Sequence, residues 1–79
     1  MNKENTIKAL REYCERALVL CERYKDNYNI ANSFRMQAFG AVTFAQESAL
    51  CNYIKGLRWR ELEEIWKEYD EKFKQIIGI

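Results

Sequence analysis

Ile7, Leu10, Cys14, Ala17, Cys21, Tyr24 and Tyr28 recur at alternating intervals of three and four. That spacing predicts an apolar seam along a helix of about residues 3–27, with Glu12, Glu15, Arg16, Glu22, Arg23 and Lys25 on its wet side. The stretch DNYNIANS then supplies Asp26, Asn27, Asn29 and Asn32, whose side chains compete for the backbone and cap helix starts, so a turn is expected there. A second helix is expected over 30–55, stopped by Gly56, because glycine takes the left-handed conformation that ends helices. The third, over 58–77, has a stripe of Leu62, Ile65, Trp66, Tyr69, Phe73, Ile76 and Ile77. Opposite it stand Glu63, Glu64, Lys67, Glu68, Asp70, Glu71 and Lys74. Glu63 with Lys67, and Glu68 with Lys72, are in the favourable acid-first order, worth roughly 0.3–0.5 kcal/mol each. Short connections between long helices imply antiparallel neighbours. The expectation is a single all-α domain, a self-associating three-helix up-down-up bundle. Its alternative is a helical hairpin with a long kinked second arm.

The middle segment departs from the amphipathic pattern of its neighbours. From Phe39 to Ile54 its one charged residue is Glu47. At 100° per residue, Phe34, Ala38, Ala41, Ala45 and Ala49 share one side, Met36, Phe39, Thr43, Leu50 and Ile54 another, and Gly40, Phe44 and Cys51 a third. Two neighbouring helices cover only part of a helix's circumference, so one apolar sector is left over. Glycine inside a helix costs roughly 1 kcal/mol against alanine, and close approach of a second backbone is a usual compensation. Met36, Phe39, Gly40, Thr43 and Phe44 are therefore the candidate interface. The competing reading has Gly40 making room for Trp59 or Trp66 of the same chain.

Composition narrows the chemistry more than it names it. The 79 residues include no proline, three glycines and no histidine, and the formal net charge is +1. So near-neutral a chain is not expected to bind nucleic acid by salt-driven attraction. Cys14, Cys21 and Cys51 lack CxxC spacing and histidine partners, so neither a metal site nor a disulfide framework is expected. All three are expected to be buried thiols in a reducing cytoplasm. MNKENTIKALREY carries no apolar leader segment, and no apolar run reaches the length of a membrane span.

Enzymatic readings lack an imidazole base, a marked nucleophile and a phosphate loop. The carboxylates of ELEEIWKEYDE fall mainly on a solvent face, and no catalytic residue or cofactor is expected. Two polar groups remain as candidate ligand sites. In KGLRWRE, Arg58 and Arg60 flank Trp59 beside a turn, a combination that binds phosphate and stacks on a ring. The same arginines would equally serve by pairing with Glu61 to Glu64 while Trp59 closes the bundle. Arg35, Gln46 and Tyr53 fall along one stripe of the second helix and would line a polar groove, with Tyr24 and Tyr28 near it.

AFGAVTFA and EEIWKEYDEKF together resemble a pattern in small uncharacterised helical proteins of Firmicutes phages and mobile elements. That pattern places an arginine shortly before a glycine-alanine-hydrophobic turn, then a tryptophan, acidic residues and a lysine-phenylalanine pair. Arg35, Gly40, Ala41, Val42, Trp66, Asp70, Lys72 and Phe73 match it over about the last half of the chain. The resemblance implies an accessory factor or an antagonist of host defence, acting by docking on a protein or by sequestering a nucleotide signal. The expected function is thus a helical protein-binding module. A nucleotide sponge with its pocket between chains stands second and a nucleic-acid binder third.

Overall fold

The computed structural model describes residues 2–79 and places three helices in it: α1, Lys3–Arg23; α2, Tyr28–Leu50; and α3, Trp59–Ile77. Their relative directions follow from side-chain pairs. Lys3 meets Glu61, Arg11 meets Glu68, and the Tyr69 hydroxyl donates to Glu15, so α1 and α3 run in parallel. Arg35, early in α2, reaches Asp70, late in α3, whereas Gln46, late in α2, reaches the Trp59 carbonyl. α2 is therefore antiparallel to both, and the up-down-up bundle is the observed fold. It measures 41 × 18 × 16 Å.

Local chemistry sets the ends. Asn2 caps α1 by accepting from the Asn5 N–H at 2.7 Å, and Asn27 caps α2 by accepting from Ile30 at 3.2 Å. α1 stops at Arg23, short of the expected end, because Tyr24 to Asn27 close a turn in which the Asn27 N–H donates to the Tyr24 carbonyl. Tyr24 and Tyr28 consequently leave the seam and are exposed.

The larger correction is at the end of α2, which stops at Leu50 and not near residue 55. Asn52 adopts φ 62°, the Asn52 N–H donates to Ala49 and the Tyr53 N–H reaches back to Ser48. This doubly closed terminus needs a left-handed residue, which asparagine supplies more readily than most residues that carry a side chain. Gly56, at φ 83°, shapes the connection instead, and a Cβ there would lie 3.7 Å from Lys3 Cδ. Gly78, at φ 87°, ends α3.

The core joins Leu10, Cys14, Ala17, Leu18 and Cys21 of α1 to Ala31, Ala38, Val42 and Ala45 of α2 and to Leu62, Ile65, Tyr69 and Phe73 of α3. Leu57, in the second connection, plugs one end. Two acids of α3 do not sit as the pattern assigns them. Asp70 is turned toward α2, where Arg35 Nε binds it at 2.7 Å and Lys74 at 3.5 Å. Glu68 pairs with Arg11 and not with Lys72, which lies over the Tyr69 ring instead. No helix among the described residues is long and apolar enough to cross a membrane.

Candidate functional site

Apart from Phe34, which packs against the core, α2 turns small side chains and Val42 inward and its other large apolar ones toward solvent. Ala31 and Ala38 are fully covered and Val42 and Ala45 nearly so, whereas Phe44 is 72% exposed, Leu50 73% and Met36 50%. Alanines on the inner face let α1 and α3 close in on the α2 backbone, and the bulky residues are left on the opposite arc. Burying a phenylalanine typically gains about 1.5–3 kcal/mol, so the chain leaves favourable burial unused on this surface. Gly40 lies in its middle, and a Cβ placed there would meet nothing within 4 Å. The reading in which Gly40 makes room for Trp59 or Trp66 is therefore incorrect. The glycine is a saddle open to solvent, with Met36 and Phe44 one turn to either side.

Of the five candidate interface residues, Met36, Phe39, Gly40 and Phe44 are exposed and Thr43 is half-buried. They lie between two grooves that flank the ridge. One, about 390 Å³, runs between α1 and α2 and is apolar, with Ala9, Tyr13, Phe44 and Ile54 among its walls. The other, about 370 Å³, runs between α2 and α3 and combines Phe39, Trp59 and Trp66 with Glu47 and Glu63.

The ligand-site candidates are not brought together. Arg35 is committed to Asp70, with a further contact to Asn32 at 3.4 Å. Gln46 Nε2 donates to the Trp59 carbonyl at 3.3 Å. Tyr53 lies beyond α2 and is 81% exposed, so the expected stripe of Arg35, Gln46 and Tyr53 does not form. Its premise was a helix running to residue 55, and the left-handed Asn52 breaks it. Arg58 and Arg60 are exposed, and among the described residues neither pairs with Glu61 to Glu64. Glu61 pairs with Lys3 and Glu63 with Lys67. Trp59, at 42% exposed, is shared between the start of α3 and the α2/α3 groove.

Comparison of the chain with protein-family models, with curated proteins and with solved structures returns no match.

The cysteines divide in two. Cys14 and Cys21 are fully buried, and Cys51 is exposed. The expectation that all three are buried is corrected for Cys51, which caps α2 on the side of Gly40 and Phe44, the outward face of the helix. Burial pushes the Cys14 thiol up to about 11, with the Glu15 charge adding to it, and raises Cys21 as well. A thiol-reactive dye at neutral pH is expected to label Cys51 within the mixing time of the other two's denatured forms, and Cys14 and Cys21 only on unfolding. The folded state prefers the neutral Cys14 thiol, so its contribution is complete below the ordinary thiol range and is lost as pH rises from about 9 to about 11. The loss amounts to about 2–3 kcal/mol. Tyr69, raised by burial and by its bond to Glu15, acts in the same direction. Urea midpoints measured across that window should fall, and a midpoint that holds would overturn the assignment.

Proposed function

We propose that this chain is a cytoplasmic helical binding module that works through the outward face of α2, assembling with a second copy of itself and docking on a protein partner. The observation that supports this reading is the inverted packing of α2, with alanines inside and Met36, Phe39, Phe44 and Leu50 outside around an unoccupied glycine saddle. A two-fold antiparallel crossing centred on Gly40 suits the order of residues along the helix. It sets Met36 of one copy against Phe44 of the other, a sulfur–aromatic contact, and Ser33 against Glu47. The two Glu47 carboxylates would then stand about 21 Å apart along the axis, well beyond the screening length of physiological salt. The face thus carries no built-in repulsion against its own copy.

On its resemblance to phage and mobile-element proteins, such a module would act as an accessory factor or inhibitor. The nucleotide-sponge alternative loses Arg35, because its guanidinium already holds Asp70, and retains only Arg58, Trp59 and Arg60. Native mass spectrometry of protein purified from its own host tests the reading. A mass of two or more chains, or of a chain with a bound protein, is the expected result. A single-chain mass retained at high micromolar concentration would overturn self-association, and a retained nucleotide would favour the sponge.

A further inference from the structure

The groove between α2 and α3 has a chemical character that the apolar ridge lacks. Its hydrophobic walls are the indoles of Trp59 and Trp66 and the ring of Phe39, whose centroid lies 5.3 Å from that of Trp66 at 55°. Its charged lining is two carboxylates, Glu47 and Glu63, with no lysine or arginine. Glu47 forms no ion pair among the described residues, and Glu63 meets Lys67 only at 4.0 Å, with Lys67 72% exposed. The remaining polar lining accepts as well. Gln46 has turned its amide nitrogen to the Trp59 carbonyl, which leaves its Oε1 free, and Thr43 contributes a hydroxyl. Aromatic faces with acceptors and negative charge, and few donors beyond the indole N–H groups, complement a flat cation that can stack and donate several hydrogen bonds at once.

We propose that this groove receives the guanidinium group of an arginine carried on an exposed segment of a partner protein. The guanidinium stacks on the indole of Trp59 or Trp66, binds Glu63 through paired N–H donors and has Glu47 as its second carboxylate. An ammonium is the poorer fit, being compact, strongly hydrated and unable to stack on a ring as a plane. A phosphate or nucleotide is excluded from this groove by the two carboxylates, which separates it from the neighbouring exposed Arg58 and Arg60. The proposal rests on the reading of α2 as the docking surface and specifies the chemistry at one margin of it.

The test follows the indole N–H signals of Trp59 and Trp66 by NMR in the full chain during titration with acetyl-Gly-Arg-Gly-amide. The same peptide with citrulline, which keeps the shape and removes the charge, and the same peptide with lysine serve as comparisons. The arginine peptide is expected to shift both indole signals saturably, and added salt should weaken the response. Citrulline should bind about tenfold or more weakly, and Glu63→Gln should cost about two- to fivefold in affinity, the range for a partly exposed charge pair. Glu63 lies on the surface of α3, so this variant is expected to keep the wild-type melt. No saturable shift, an equal response to citrulline or lysine, or indifference to Glu63→Gln would each overturn the proposal. Light scattering on the same samples reports assembly separately. A multimer that ignores arginine refutes the groove alone, and a monomer that binds it refutes self-association alone.

Discussion

Phe73→Ala is expected to remove a large part of the protein's stability, whereas the same change at Phe44 leaves the fold standing. Phe73 has no exposed surface and sits where α3 meets the rest of the core, its ring 6.1 Å from that of Trp66. Truncating such a residue removes its transfer free energy and leaves a cavity, together about 3–5 kcal/mol. A chain of this length has roughly 4–12 kcal/mol in total, so the variant gives up at least about a quarter of it and, at the lower end, all of it. Phe44 is 72% exposed and makes few contacts to lose, and its alanine variant should fall within about 0.5 kcal/mol of wild type in the isolated chain. Its effect should appear in the proposed assembly, which would lose the ring set against Met36 of the second copy. Urea titrations of both variants check the first contrast and light scattering the second. Equal destabilisation by the two would mean that the outward face of α2 is core.

The fold was legible because α1 and α3 are strongly amphipathic. Cys14, Ala17 and Cys21 mark the buried line of α1, and Leu62, Ile65, Tyr69 and Phe73 that of α3, at the spacing that periodicity demands. α2 was readable only in part. A helix apolar on three sides gives no phase, and its inward face had to be found from size, the alanines lying inside. Its end was misplaced because Asn52 competed with Gly56 for the left-handed position, and two residue types can fill it. That error carried Tyr53 with it, whereas Cys51 is exposed because it shares the outward sector of Gly40 and Phe44.

The candidate ligand residues fared less well because a polar side chain has no periodic signature that separates a fixed contact from an open one. Arg35 was expected to line a groove and instead secures Asp70, a pairing across 35 positions that no local pattern encodes. The α2/α3 groove escaped notice for a related reason. Glu47 and Glu63 belong to different helices, and only the antiparallel packing of α2 on α3 sets both beside Trp59 and Trp66. One signal did point there: Glu47 is the single charge in an otherwise uncharged run.

Gly40→Leu is expected to move stability and assembly in opposite directions. Within one chain the substituted position faces open space, since a Cβ there meets nothing within 4 Å. Leucine also improves on glycine in a helix interior by roughly 0.8 kcal/mol. The isolated bundle should therefore melt slightly higher, with helicity by circular dichroism held or increased. In the proposed assembly the same side chain would fill the saddle across which two α2 backbones approach. Moving two helix axes apart to admit a pair of leucines forfeits the Met36–Phe44 contacts on both sides of the axis, and a loss of about 3 kcal/mol would weaken association by roughly a hundredfold. Gly40→Ala should be intermediate in assembly and melt at least as high as the leucine variant, since it gains the full propensity benefit while intruding least. A melt and a light-scattering series on wild type, alanine and leucine resolve the order. Assembly that survives Gly40→Leu unchanged would move the contact surface off the saddle, to one of the two grooves beside it. A fall in the melting temperature at a concentration where the wild type is monomeric would mean that Gly40 packs against its own bundle, whereas a fall seen only in the assembled range is the loss of assembly itself.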